Sequence, residues 1–391
     1  MEPRERVLAA LAGEKVDRVP VDLGSSRVTS ISGDAYVRMI DFLGLPLDKN
    51  DVQLIDHMLQ LPRIDDRFVE ALGVDVRGVK VNTVRKGPDL IEQERHWEYL
   101  DEYGGRWRKP KLGGLYYDLV ESPLSGAIDE EDIDGFDWPD WTAESVFEGV
   151  AEEAKALSDA GFAVVLEGEG GGIFETASRV RGYTELYMDL ALRPKLAKKL
   201  FDKIADLRCS LWRAAGEAFG EHIHIIREGD DIAGQDKPLF APATYRELLK
   251  PNHRRVFRTI KEAFPAPAYV FFHSDGAIRE LIPDFVEVGI DILNPVQPGL
   301  PKMDLLEIAR AFGDRIAFWG GGVDPQAVLP VGRPQQIRQD MRDRVGRLLG
   351  ITSRYIFSSI HNVLGDVPPE NVVAQLEGLY DAQGLEFEVQ R

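Results

Sequence analysis

The sequence predicts a (β/α)8 barrel. Two observations carry this reading. Short apolar runs recur eight times along the 391 residues, each ending in polar or glycine-rich sequence, and helical patterns stand between many of them. Continuous apolar runs are what strands buried on both faces require, and eight strand–helix repeats are the count at which a parallel sheet closes on itself.

The predicted strands are, in order, "RVPVDLG" (18–24), "VDVRGVKV" (74–81), "FAVVLEGEG" (162–170), "HIHIIREGDD" (222–231), "YVFFHSDG" (269–276), "DILNPVQ" (291–297), "IAFWGGGVD" (316–324) and "YIFSSIHN" (355–362). Among the helical segments, "PKLAKKLFDKIADLRCSLWRAAGEAF" is the longest, and "TYRELLKPNHRRVFRTIKEAF", "AIRELIPDFVEVG", "DLLEIARAFG" and "QQIRQDMRDRVGRLLG" follow. One region breaks the alternation. Residues 82–141 are rich in Gly, Asp, Trp and Tyr, and "DEYGGRW" and "KLGGLYYDLV" read as hairpin pieces. The chain is therefore read as a single domain, 1–391, with 82–141 inserted over the barrel mouth. A surface excursion that pairs two copies into a homodimer is the other reading of that insertion.

Composition bounds the function. No run of about 18 apolar residues is present, so no membrane span is expected. The N-terminus "MEPRERVLAALAGEKVDRVP" is charged and lacks the apolar core of a signal peptide, which leads to an expectation of a cytoplasmic protein. A net charge of −19 repels nucleic acid and anionic membrane surfaces, which leaves a small-molecule substrate as the expected partner. Cys209 is the one cysteine, so neither an internal disulfide nor a multi-thiolate metal site can form.

In barrels of this kind chemistry sits at the C-terminal ends of the strands. There the sequence places Asp22 and Ser25, then Glu167 and Glu169, then Glu228, Asp230 and Asp231. His273 and Asp275, Asn294 and Gln297, Asp324, and His361 with Asn362 end the later strands. Asp75 lies near the start of its strand, so its placement stays open. His273 and Asp275 are two apart, a spacing that points both side chains to one side of an extended strand. Two imidazoles among carboxylates suit a divalent metal, and equally suit acid–base chemistry without one. Asp230 and Asp231 are adjacent, so only one can face inward; either could instead cap the loop "DIAGQDKP", which also carries Gln235. His222 and His224 begin their strand and are expected at the barrel bottom. Cys209 sits within a long amphipathic helix and reads as packing. The run "GEGGGIFE" lacks a phosphate-loop Lys-Ser/Thr pair, so its glycines read as turns or close approaches.

The stretches "RERVLAALAGEKVDRVPVDLG", "GDDIAGQDKPLFAPATYRELLKP", "FFHSDGAIRELIPDFVEVGIDILNPVQP" and "SSIHNVLGDVPPENV" resemble the uroporphyrinogen decarboxylase superfamily. The resemblance spans nearly the whole chain, is weakest in 82–141, and implies a (β/α)8 barrel. It also implies one of two chemistries, cofactor-independent decarboxylation or zinc-dependent methyl transfer to or from a corrinoid. The decarboxylases carry several Arg on the N-terminal loop; here "DLGSSRVTSISGD" offers Arg27 alone. The methyltransferases hold zinc with a His-x-Cys pair on the fifth strand and a later Cys near the eighth. His273 matches that His, Asp275 stands in place of the first Cys, and His361 falls near the second. The resemblance thus implies a methyltransferase of the O-demethylase type, with zinc on His273, Asp275 and His361 and a corrinoid (cobalamin) carried by a partner protein. Asp231, Asp75, Glu167 and Glu169 are the candidate catalytic residues, and Glu167, Glu169 or Glu175 would complete the ligand set or relay the leaving group's proton. Arg27, Gln235, Asn294 and Gln297 are the candidate substrate contacts. A metal-free lyase, with Asp75 or Asp231 facing a cationic intermediate, and a non-catalytic ligand-binding barrel are the alternatives.

Overall fold

The computed structural model describes residues 1–84, 90–113 and 116–390. Seven parallel strands form one sheet: β1 (Val76–Lys80), β2 (Ala163–Glu167), β3 (Ile225–Gly229), β4 (Tyr269–His273), β5 (Ile292–Asn294), β6 (Ala317–Gly321) and β7 (Tyr355–Ser358). They lie in chain order across the sheet. The first predicted strand, 18–24, makes a single parallel bridge, Val21 to Phe357. Its backbone nevertheless reaches both edges of the sheet. Asp22 N donates to Phe357 O at 2.8 Å, Phe357 N to Pro20 O at 2.9 Å, and Asp75 N to Val21 O at 2.8 Å. The segment therefore closes the ring between β7 and β1. It stays short of a regular strand because Pro20 has no N–H to give, and because the Asp75 side chain takes the Val21 N–H at 2.9 Å.

Strand periodicity sorts the side chains. Val76, Val165, Ile225, Phe271, Ile292, Trp319 and Ile356 point inward and form one buried cluster. The helix Pro3–Ala12 adds Val7, Ala10 and Leu11 to it and lies across the N-terminal ends of the strands, where Arg4 N donates to Gly161 O at 2.9 Å. Val164, Leu166, Ile226, Phe272, Leu293, Phe318 and Phe357 point outward into the layer of helices. Truncating an inner ring such as Phe271 to alanine would cost on the order of 3–5 kcal/mol.

One step further along the inward positions the chemistry changes. Lys80, Glu167, Arg227, His273, Asn294 and Ser358 occupy the C-terminal inward places of their strands. Glu228, of outward parity, accepts from Arg208 Nε at 3.1 and 3.0 Å and from Trp212 Nε1 in the helix Pro194–Phe219. Its role is to tie that helix to the barrel.

Asp75, expected among the catalytic residues, is not at the mouth. It precedes the first residue of β1 and therefore lies at the end opposite the mouth. There its carboxylate meets Arg6 Nη1 at 2.5 Å and Arg18 Nη1 at 2.6 Å. This is a buried ion cluster clasping the N-terminal helix, with no access to the rim. His222 and His224 are also at this end, and His224 Nδ1 accepts from Val164 N at 3.2 Å.

Within 82–141 an antiparallel meander runs through Ile91–Glu92, His96–Leu100, Arg106–Pro110 and Asp118–Glu121. "DEYGGRW" is its central hairpin. Asp101 Oδ1 accepts from Tyr103 N at 3.0 Å and Gly105 N at 2.8 Å, while Oδ2 takes Trp107 Nε1 at 2.8 Å. Residues 114 and 115 of "KLGGLYYDLV", and 85–89 of the insertion, lie outside the described residues. Among the described residues no helix is long and apolar enough to cross a membrane.

Candidate functional site

β4 delivers His273 to the mouth. Its Nδ1 lies 2.6 Å from Asn294 Oδ1, and Asn294 Nδ2 donates to Trp319 O at 2.8 Å. With its amide committed to a carbonyl, Asn294 can only accept from the ring. Nδ1 therefore carries the hydrogen, and Nε2 presents its lone pair to the mouth. Nε2 is 3.7 Å from Asp275 Oδ2 and 3.8 Å from Asp231 Oδ1, and His361 Nε2 is 3.9 Å from the same Asp275 oxygen. One ligand atom from each of His273, Asp275 and His361 lies within 4.8 Å of the other two. Burial pushes His273 and His361 down to about 4, and the Arg227 charge adds to this at both rings. Both are neutral near neutrality, the state a metal requires of them.

Around this trio the carboxylates are divided by environment. Asp231 Oδ1 accepts from Asp275 N at 2.8 Å. Burial, and then the charges of Glu175 and Asp275, hold Asp231 well above the usual carboxylate range. Burial also raises Asp275, against the pull of His273. Burial would raise Glu175 too, but Arg179 and Arg227 bring it below its ordinary value.

Asp230 and Asp231 face opposite ways. Asp230 is fully buried and accepts from Phe174 N and Glu175 N, each at 2.9 Å, at the start of the helix Ile173–Arg181. It also meets His253 Nε2 at 3.0 Å, whose Nδ1 lies 3.1 Å from Tyr245 Oη. Asp230 thus caps an earlier helix rather than the loop that follows it, and this cap sets Glu175 beside the trio.

Next to the trio is a cavity of about 410 Å³, walled by Arg27, Lys80, Tyr99, Trp141, Glu169 and Arg179. Neither imidazole of the trio, nor Asp275, lines it. Two cations couple the places. Arg27 contributes to the low value of His361, and Arg179 stands between Glu169 and Glu175. Glu169 is pushed up to about 7 by burial, against the pull of Arg179. Its Oε1 meets Arg179 Nη1 at 3.2 Å, and its buried Oε2 has no hydrogen-bond partner among the described residues. Glu167 Oε2 accepts from Arg27 N at 3.0 Å, and Oε1 is 3.5 Å from Arg227 Nη1.

Two glycines make room for this wall. A Cβ on Gly78 would meet Ser25 O at 1.8 Å, so the loop after Asp22 packs directly on the bare backbone of that glycine. A Cβ on Gly170 would fall 1.3 Å from Arg27 Nη1. Arg27 itself pairs with Asp56 at 3.0 Å.

Three expected substrate contacts are placed differently. Asn294 has no exposed surface and positions His273. Gln297 Oε1 accepts from Gly276 N at 3.2 Å and braces the turn after Asp275. Gln235 is exposed on its loop. Conversely, Arg227, Arg179 and Lys80 belong to the mouth and were not singled out from sequence. The signal for Arg227 was present: of the two charged residues in the strand "IIREG", it is the one that shares the inward parity of Ile225.

An eight-segment parallel barrel with imidazoles, carboxylates and guanidiniums gathered at its C-terminal rim places the chain among the (β/α)8 barrels that carry their site there. Residues 121–379 match the family model for uroporphyrinogen decarboxylase (URO-D), and the chain belongs to that family. The uroporphyrinogen decarboxylase of Thermus thermophilus is 29% identical over 175 residues, 44% of this chain and 45% of that protein. That of Chlorobium phaeobacteroides is 24% identical over 188 residues, 47% of this chain and 48% of its own. The chain thus spans about half the length of the curated relatives it matches. Among solved structures, a methyltransferase from Methanosarcina mazei superposes with a TM-score of 0.63 at 17% identity, covering 97% of this chain and 99% of that one, which shows a common fold.

Proposed function

We propose that this chain is a metal-dependent methyltransferase that moves a methyl group from a small methoxylated or methylated substrate to the corrinoid of a partner protein. The carrying observation is the fixed tautomer of His273, which turns an unprotonated Nε2 toward Asp275 with His361 alongside. A ring held through one nitrogen by a buried amide, leaving the other free, is the usual outer support of a metal-bound histidine. His273, Asp275 and His361 would hold the ion, and the two-nitrogen, one-oxygen set suits zinc. Bound there, zinc supplies Lewis acidity to the heteroatom that bears the methyl group. An oxygen donor in Asp275, where a thiolate would be softer, keeps the centre matched to an ether or other hard heteroatom.

The rest of the chemistry falls to the chain. The C–O bond breaks, the methyl carbon passes to the reduced corrinoid acceptor, and the bonding pair stays on oxygen, which needs a proton. Glu169 can hold that proton near neutrality and lies in the adjoining cavity. Asp231 orients the Asp275 backbone, and Glu167 fixes the Arg27 backbone at the cavity wall. The whole-length likeness to a methyltransferase fold is consistent with this reading.

The names of the curated relatives favour a second reading, cofactor-independent decarboxylation. Two placements weigh against it. Asp75 is locked at the barrel bottom, and Arg27 is already paired with Asp56. The test is metal content by mass spectrometry for wild type and His273→Ala, purified without chelators. About one zinc per chain, lost in the variant, supports methyl transfer. No metal in either after zinc is offered, with activity surviving chelation, moves the assignment to the lyase.

A further inference from the structure

We infer that Asp275 sets the metal class at the mouth: with a carboxylate there, the trio accepts cobalt(II), iron(II) or manganese(II) as well as zinc, in expanded coordination rather than as a tetrahedron. The inference deepens the metal-dependent reading and rests on it for the presence of an ion, though not for which ion.

The donors are nitrogen and oxygen throughout. His273 Nε2 and His361 Nε2 stand 3.7 and 3.9 Å from Asp275 Oδ2, and one atom from each residue lies within 4.8 Å of the others. Two imidazoles and one carboxylate, with positions left open, are the set that holds non-haem iron(II). Across nitrogen and oxygen donors cobalt(II) and zinc lie close in affinity, whereas thiolate selects zinc. No thiolate reaches the mouth. Cys209, the one cysteine, is buried in the helix Pro194–Phe219, where its Sγ accepts from Thr259 Oγ1 at 3.4 Å. The further donors near the trio are oxygens. Asp231 Oδ1 is 3.8 Å from His273 Nε2, and the charge of Glu175 acts on both Asp231 and Asp275. Arg227, which also acts on Asp275, offers no lone pair.

Nor is a tetrahedron imposed. Zinc loses nothing in that shape, while cobalt(II), iron(II) and manganese(II) favour more ligands, so a site also selects zinc by enforcing it. Enforcement needs every ligand to be held. His273 is held, through Asn294 at 2.6 Å. Asp275 and His361 are not. They lie on the segments after β4 and β7, each side chain is 33% exposed, and neither has a side-chain hydrogen bond among the described residues. The backbone there is pinned: Asp275 N donates to Asp231 at 2.8 Å, and Gly276 N to Gln297 at 3.2 Å. The Cα of Asp275 therefore stays in place while its carboxylate follows the ion. A cysteine on the same Cα would bring a thiolate to the same place.

The test reads the metal rather than turnover. The full chain is stripped with a chelator and titrated with cobalt(II), for wild type, Asp275→Cys and His273→Ala, and zinc is then added in competition. Iron(II), without oxygen, and manganese(II) are titrated into wild type. The inference expects about one cobalt per wild-type chain, with the weak visible bands of expanded coordination, and saturable binding of iron(II) and manganese(II). Asp275→Cys should show intense tetrahedral bands with thiolate-to-cobalt charge transfer. Its preference for zinc over cobalt should exceed that of wild type about tenfold or more. His273→Ala should lose the cobalt signal. A wild type that takes zinc alone, or gives tetrahedral cobalt bands, overturns the inference and leaves the methyl-transfer reading standing. An unchanged preference in Asp275→Cys, or a cobalt signal that survives His273→Ala, also overturns it. Binding of none of these ions overturns both. The wild-type spectrum decides even where the cysteine variant does not fold.

Discussion

The side-chain carbonyl of Asn294 accepts the His273 Nδ1 hydrogen at 2.6 Å, and its own amide is tied to Trp319 O. The pair fixes which imidazole nitrogen is free. Asn294→Leu should therefore keep the fold and lower zinc affinity by about tenfold to a hundredfold. Competition with a chromogenic chelator measures this. Unchanged affinity would show that the ring finds its orientation without Asn294.

Asp230 and Asp231 are neighbours with opposite expected phenotypes. Asp230→Ala strands two amides at a buried helix start and a buried His253, which should cost on the order of 3 kcal/mol in urea unfolding. Asp231→Ala is at the mouth and should cost under about 1 kcal/mol while lowering turnover strongly. Similar unfolding midpoints for the two variants would contradict the division.

Glu169 gives a pH signature of known sign. Burial raises its carboxyl from an ordinary value of 4.5 to about 7, so folding favours the neutral form. That contribution is complete below the unfolded value and is lost as pH rises through about 7. Glu169→Gln is neutral throughout. Its melting temperature relative to wild type should therefore climb between about pH 5 and about pH 8. A flat difference would mean that the Arg179 pair outweighs burial.

Gly78→Ala tests the loop that carries Arg27. The added Cβ meets backbone, at 1.8 Å from Ser25 O, and cannot be relieved by a rotamer change. A loss of about 1–3 kcal/mol is expected from overpacking. Normal stability would show that the loop rides elsewhere in solution.

Much of the architecture could be read from the residues. Seven predicted strands form where the apolar runs lie, and the first run, 18–24, becomes the closing segment. The 26-residue helix Pro194–Phe219 coincides with its predicted span because its apolar stripe is long and proline-started. His273, Asp275 and His361 converge as strand-end reasoning expects. Asp75 was misread because a strand's first residue and its polarity at the rim cannot be told from one apolar run. Asn294 and Gln297 read as ligand contacts in the sequence, which shows that an amide is at a strand end but not which neighbour already holds it. Lys80 and Arg227 escaped notice because inward parity becomes visible only once the register is fixed.

Ser30 N and Asn362 Oδ1 join at 2.9 Å across 332 residues of chain, close to where Val21 bridges Phe357. The N-terminal segment and the end of β7 are therefore sewn together by contacts that span most of the sequence. Such contacts form late, because the intervening chain must be ordered before they gain anything. During synthesis the closing partner of the N-terminal segment does not yet exist, so a nascent chain holds an open sheet. Arg27 and His361, drawn from the two ends, face each other only after that closure. Assembly of the mouth thus requires both the N-terminal segment and the end of β7 to be in place.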